Sequence, residues 1–276
     1  MIINREDNGR IKKQYNDEDF IELCKEYEVK RNAKEIANRE GIPLVTLYYY
    51  IKKLGYNKPR RKYEFNEDYF KNINTKNKAY ILGFLMADGC VCKSTQDKAS
   101  ADRLIIQISH KDRCILEFIQ KELGSNYKIK DFIPNGTYSN NMMSSLTINS
   151  TKLCSDLIKH GIVPNKTGKE SFPVLRENLK RHFIRGFLDG DGWITSNNTG
   201  SITIGFISNY NMLESIKAEI DKSLDIKSVA RIYNDYRSDK DIYYLEYSNK
   251  DDIKQLKKYL YHNAEFYLER KASKLP

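Results

Sequence analysis

The sequence predicts an α+β protein, a pseudo-two-fold domain of two similar units preceded by a small all-α domain. Two observations carry this. The opening segment shows helical periodicity alone. Further on, AYILGFLMADGCV (79–91) resembles HFIRGFLDGDGWI (182–194), with Asp191 standing 103 residues after Asp88. The surrounding chain repeats at nearly that offset. ISHKDRCILEFIQKEL (108–123) pairs with ISNYNMLESIKAEI (207–220), and SLTINSTKLCSDLIKHGI (145–162) with YLEYSNKDDIKQLKKYLY (244–261), both at 99 residues. Each unit reads helix, strands, helix, strands, helix. The chain of 276 residues has room for this organisation. The expected boundaries are a helical domain at 1–56, a basic linker at 57–65 and the repeated domain at 66–276, its halves dividing near 175.

Composition narrows the function. At 40% hydrophobic and 30% charged residues, the chain has apolar mass for a core and reads as soluble. Its most apolar run, Ala79 to Ala87, is too short to cross a bilayer. Residues 1–10 lack the apolar stretch of a secretory signal, so a cytoplasmic protein is expected. Five cysteines form no C-x-x-C pair, which argues against a zinc ribbon or a disulfide framework. None of the four histidines has a second His or a Cys at metal-ligand spacing. The net charge of +10 suggests an anionic partner, most simply nucleic acid. The excess of Lys over Arg, with plentiful Ile, Asn and Tyr, also fits AT-rich coding.

Asp17 to Glu28 spaces Phe20, Ile21, Cys24 and Tyr27 helically. Asn32 is a natural N-cap for the next helix, which buries Ala33, Ile36 and Ala37. Gly41-Ile42-Pro43 breaks the chain, and a third helix runs from about Leu44 to Leu54, closed by Gly55. Helix, tight glycine turn, helix is a helix-turn-helix pattern. The segment NAKEIANREGIPLVTLYYYIKKLGY resembles those of resolvases and transposases. Thr46, Tyr49, Lys52 and Lys53 are then expected on the DNA-facing side of the third helix. From Leu44 to Lys62 there are basic residues and no acidic one, and NKPRRK, with Arg60 and Arg61, suits a minor-groove arm or a solvated tether.

Thr75 is an N-cap candidate for a helix over Lys76 to Ala87. Gly83 and Ala87, like Gly186 and Gly190 in the second copy, are four apart and share a face. Glycine inside a helix costs about 1 kcal/mol relative to alanine, a cost that makes sense where two helix backbones approach closely. Each helix then ends in Asp-Gly, the glycine expected as a terminator. That packing brings Asp88 and Asp191 together at the helix C-termini, where paired carboxylates are unfavourable without a cation. With the carbonyls of Ala87 and Gly190 they offer oxygen ligands suited to Mg²⁺.

These residues resemble the LAGLIDADG homing-endonuclease family. The motif reads Ile81-Leu82-Gly83-Phe84-Leu85-Met86-Ala87-Asp88-Gly89 and Ile184-Arg185-Gly186-Phe187-Leu188-Asp189-Gly190-Asp191-Gly192, and the resemblance covers 66–276. It implies an αββαββα fold per repeat, the two four-stranded antiparallel sheets forming a saddle over double-stranded DNA. It implies hydrolysis of one phosphodiester per strand across the minor groove, by a monomer, with two or more Mg²⁺ ions held by Asp88 and Asp191. Products with 5′-phosphates and short 3′ extensions follow from the same likeness, as does a place in a mobile genetic element. Met86 departs from the acidic residue common at its position, whereas Asp189 keeps it. The family also sets a basic residue beside each scissile phosphate. Lys166 lies 78 residues after Asp88 and Lys271 lies 80 after Asp191, with Arg270 the alternative beside it. Either lysine would neutralise charge on the phosphate or steer the attacking water.

Strand alternation selects the residues for DNA reading. RLIIQIS sets Arg103 and Gln107 on one face, YKIKDF sets Lys128 with Lys130, and VARIYND sets Arg231 with Tyr233. Other constellations fail. DGDGWITSNNTG starts like a calcium loop but has Ile194 where glycine is needed and Gly200 where glutamate is needed. GIVPNKT is no P-loop, because Lys166 lacks a preceding glycine. Trp193 is expected in packing beside the site. Two other readings fit the same residues: a non-catalytic DNA-binding transcriptional regulator, which the intact aspartates oppose, and a maturase acting on intron RNA.

Overall fold

A computed structural model describes residues 17–57, 63–94, 101–134, 141–197, 200–236 and 241–276. The chain divides into two compact units, Met1–Lys62 and Tyr63–Pro276. Tyr63 stacks on Tyr127 at 4.1 Å, and Phe65 meets the same ring edge-on. Residues 63–65, expected at the end of the linker, therefore pack into the large unit.

The small unit holds three helices, α1 (Asp17–Lys30), α2 (Ala33–Glu40) and α3 (Leu44–Lys53). Asn32 caps α2, its side chain accepting from the Glu35 N–H. Gly41 ends α2 at φ +64°, a left-handed conformation open to glycine. Phe20, Leu23, Ile36, Leu47 and Ile51 close the core between the helices.

The large unit runs α4 (Lys76–Asp88), β1 (Gly89–Cys92), β2 (Arg103–Ser109), α5 (Arg113–Glu122), β3 (Lys130–Phe132), β4 (Met143–Asn149) and α6 (Thr151–Lys159). It repeats as α7 (Glu177–Asp191), β5 (Gly192–Ser196), β6 (Ile202–Ser208), α8 (Tyr210–Ser223), β7 (Ile232–Asn234), β8 (Tyr243–Tyr247) and α9 (Lys250–Tyr261), with a short α10 (Glu269–Ala272). The two antiparallel sheets have matching orders, β1-β2-β4-β3 and β5-β6-β8-β7. Ser150 caps α6 and Asn249, 99 residues on, caps α9, so the repeat extends to the hydrogen bonds that start its helices. Leu104, Ile106 and Ile108 of β2, and Ile204 and Phe206 of β6, face one core continuous across both halves.

At its centre α4 lies against α7. Residues Ala79 to Ala87 are buried on every side of α4, as expected of a helix apolar all round. The contact is backbone against backbone. A methyl group on Gly83 would stand 2.0 Å from the Phe183 carbonyl oxygen, and one on Gly186 would stand 1.9 Å from that of Tyr80. One on Gly190 would meet the Ala87 methyl at 2.3 Å. The terminal glycines act differently from the expectation. Gly89 and Gly192 are extended (φ −79° and −104°) and start strands, not left-handed caps. Glycine is required there for room: a methyl on either would stand 2.6 Å from the carbonyl oxygen of Leu85 or Leu188.

Gly83→Ala and Gly186→Ala are expected to destabilise the large unit by about 3 kcal/mol or more each, the upper end of overpacking costs. Alanine is the better helix former, so loss of stability in urea denaturation isolates the backbone contact. An unchanged midpoint would contradict it.

Candidate functional site

The strand that follows each central helix starts one residue past an aspartate, so the helix pair and both sheets converge on Asp88 and Asp191. Both are half-buried. Burial, with Asp88 as a second cause, pushes the Asp191 carboxyl up to about 6, and burial raises that of Asp88. The two charges thus oppose each other at two helix C-termini, where the backbone is already negative.

Both lysines arrive at this place. Lys166, from the turn after α6, donates to the Ala87 carbonyl at 2.5 Å. Lys271, on α10, is only 4% exposed and donates to the carbonyls of Leu188, Asp189 and Gly192 at 2.7–2.8 Å. Its contact to the Gly190 carbonyl is longer, 3.5 Å. Burial lowers its ammonium to about 8. The lysines therefore neutralise the helix ends as well as facing the carboxylates, and the carbonyls of Ala87 and Gly190, expected as cation ligands, already accept from them. Arg270 points elsewhere. Its guanidinium makes a bidentate pair with Asp112 of the first repeat, at 2.5 and 2.6 Å. Among the described residues no three His, Cys, Asp or Glu side chains cluster as ligands. The donor set is two carboxylates with carbonyl oxygens, which fits a hard divalent cation completed by water and substrate oxygens and suits soft metals poorly.

The open faces of the sheets lead away from the site. On the first, Arg103 and Gln107 are exposed, and the register sets Gln107, Ser145 and Lys130 in one row. Lys128 is exposed but precedes β3, and Arg231 likewise precedes β7, because both strands are shorter than their sequence patterns. On the second sheet Tyr233 stacks on Tyr244 at 5.3 Å. Trp193 lies over Gly205, its cross-strand partner, so close that a methyl on Gly205 would overlap the indole. It forms part of the open face and not the interior. Its alternation with buried Ile194 is the signal that could have found it.

In the small unit, α3 turns outward Val45 (80% exposed), Tyr48, Tyr49 and Lys52, spaced as one helical face. Val45 and Tyr48 escape the sequence reading. Thr46 is half-buried, and Lys53 bonds back to Asp17 at 2.5 Å, so neither belongs to that face. Arg60 and Arg61 lie outside the described residues.

The carboxylate pair is strained without a cation. In a chelator, Asp88→Asn or Asp191→Asn should raise stability by on the order of 1 kcal/mol, the scale for relieving an active-site conflict. Added Mg²⁺ or Mn²⁺ should raise the melting temperature of the wild type and leave the double variant unmoved. Equal shifts in both proteins would remove the aspartates as ligands.

Residues 178–261 match the LAGLIDADG-like domain family. Among solved structures, a point mutant of the meganuclease I-SmaMI superposes with a TM-score of 0.50 at 13% identity, covering 73% of this chain and 88% of that one. I-AabMI, a LAGLIDADG meganuclease bound to uncleaved DNA, gives 0.45 at 16% identity over 71% and 86%. I-DmoI in complex with DNA and Mn gives 0.45 at 17% over 68% and 98%. A search of curated proteins found no match. No helix among the described residues is long and apolar enough to cross a membrane. The chain thus carries a LAGLIDADG-like domain, in a large unit with the two-repeat LAGLIDADG meganuclease fold.

Proposed function

We propose that this protein is a site-specific double-strand DNA endonuclease, a homing endonuclease acting as a monomer. The observation that carries the reading is the pair Asp88 and Asp191, each at the end of a central helix with a lysine at hand. A merely structural helix end gains nothing from two facing, half-buried carboxylates. One domain with both halves in a single chain needs no partner chain to complete two half-sites.

Asp88 and Asp191 would hold Mg²⁺, which supplies Lewis-acid stabilisation of the phosphate and acidifies water. The carboxylates would also orient the attacking water for in-line displacement at phosphorus. Lys166 would set its ammonium against the negative charge that builds on the phosphate oxygens. Lys271, bonded to carbonyls at the end of α7, would do the same in the other half-site from a more rigid seat. Arg103, Gln107 and Lys130 would face the duplex from the first sheet, with arginine and glutamine suited to base edges and lysine to phosphate. Trp193, Tyr233 and Tyr244 give the second sheet an aromatic face for the other half of the target. Tyr48, Tyr49 and Lys52 of the small unit would add a second contact along the same DNA.

Each of Asp88→Asn and Asp191→Asn should abolish double-strand cleavage of a target plasmid while leaving affinity within a few-fold of wild type. Lys166→Ala should slow cleavage by roughly 10²-fold, the scale for one preorganised electrostatic contact. It is the cleaner lysine to test, since Lys271 also holds the end of α7. If either aspartate variant cuts both strands at the wild-type rate, the nuclease assignment falls.

Removal of residues 1–62 should leave the chemistry intact and weaken target binding. A tethered second module raises affinity through effective concentration, and a loss of about 10²-fold is expected. The dependence of log affinity on log salt should become shallower as phosphate contacts are lost. The footprint should shorten at one end. An unchanged footprint and salt slope would exclude the small unit from DNA.

A further inference from the structure

The two half-sites are braced differently, and the difference lies behind the aspartates. In the second repeat, Arg185 and Asp189 stand one turn apart on α7 and are both buried, at 0% and 2% exposure. Together they grip the segment leading into α10. Arg185 donates from Nε to the Phe266 carbonyl at 3.2 Å, and Asp189 Oδ2 accepts from the Leu268 N–H at 2.9 Å. Leu268 is where α10 begins, and no side chain caps that helix. Lys271 sits on it three residues later.

The grip is itself held by the first repeat. Tyr80 of α4 donates its hydroxyl to the same Asp189 Oδ2 at 2.7 Å, and its ring lies 5.1 Å from the Arg185 guanidinium. Phe266 stacks on Phe118 of α5 at 4.1 Å. A buried carboxylate is costly unless it is bonded, so these residues need an account that core packing does not give. The positions 103 residues earlier are Leu82 and Met86, both apolar and fully buried. There Met86 offers only a methyl toward the turn that leads to Lys166, close enough that a methyl added at Gly161 would stand 3.4 Å from it. Lys166 makes one carbonyl contact at its helix end, whereas Lys271 makes several.

We propose that Asp189 is a positioning residue for Lys271: by holding Leu268 it fixes where that lysine enters the Asp191 half-site, and among the described residues the Asp88 half-site has no equivalent brace. Its catalytic consequence rests on the nuclease reading above. The two strands of a target then depend on differently supported lysines, and loosening the brace affects one strand alone. Both donors meet Oδ2, while Oδ1 has no partner. An asparagine can therefore present its carbonyl oxygen at the same place and keep both bonds, which makes Asp189→Asn the conservative control.

The experiment is strand-resolved cleavage of a supercoiled plasmid carrying the target, with full-length wild type, Asp189→Ala and Asp189→Asn. Asp189→Ala should slow cutting of one strand by roughly 10- to 100-fold, the cost of an ångström-scale misplacement, and leave the other strand within a few-fold. Nicked circles should then accumulate, with target affinity unchanged. Lys166→Ala should retard the opposite strand, and Asp189→Asn should behave as wild type. Equal slowing of both strands, or of neither, would overturn the proposal.

Hydrogen exchange gives a readout independent of activity. Asp189→Ala should speed exchange at residues 266–272 and spare α4, whereas unchanged exchange there would also overturn it. Should the wild type nick neither strand, the nuclease reading fails, and the exchange result alone decides the brace. If Asp189→Ala does not fold, Tyr80→Phe removes one of the two donors to Oδ2, with Asp189→Asn kept as the control, and is read in the same two ways.

Discussion

The contact between α4 and α7 is made by peptide groups, and the architecture hangs from it. With Gly83 under the Phe183 carbonyl and Gly186 under that of Tyr80, no side chain separates the helices at the crossing. That fixes the helix spacing, and with it the approach of Asp88 to Asp191 at their ends. Because β1 and β5 start at the next residues, the same contact also fixes where each sheet begins. A core of interdigitated side chains could relax around a lost methylene. A crossing of backbones has no such freedom, which is why two unfavourable helix glycines are kept.

Close approach carries an electrostatic cost. Two helix C-termini and two carboxylates meet in one partly desolvated place, and both carboxyl groups are driven toward their neutral form. Lys166 and Lys271 offset part of this by bonding to the terminal carbonyls. The balance is incomplete, since among the described residues no cation is hydrogen-bonded to the carboxylates themselves. The lysines thus quiet the helix ends, and on the proposed function the same seats would set them against a phosphate.

Much of this was legible from residue order. The offset of about 100 residues, the caps at Asn32 and Thr75, and the small residues facing across the helices are local or periodic signals, and the structure has each in place. What escaped depends on three-dimensional neighbours. Gly89 and Gly192 look like left-handed terminators, yet their need is clearance from a carbonyl one turn back. Lys53 reads as outward until Asp17, far away in sequence, is seen beside it. Lys128 and Arg231 follow strand alternation on paper, but β3 and β7 are three residues each and do not reach them. Arg270 and Lys271 are adjacent and equally basic, and only the packing of α10 sends one to Asp112 and the other to the end of α7.

The two open faces are chemically unlike, with Arg103, Gln107 and Lys130 on one and Trp193, Tyr233 and Tyr244 on the other. A symmetric pair of identical chains would present the same face twice and could not tell one end of its target from the other. On the proposed nuclease reading this chain could. A duplex laid across it would have a left and a right, and turning the duplex around would put each base under the wrong chemistry. Recognition would then be directional, registering which way the DNA runs as well as what it says, and a palindrome would waste half of that capacity.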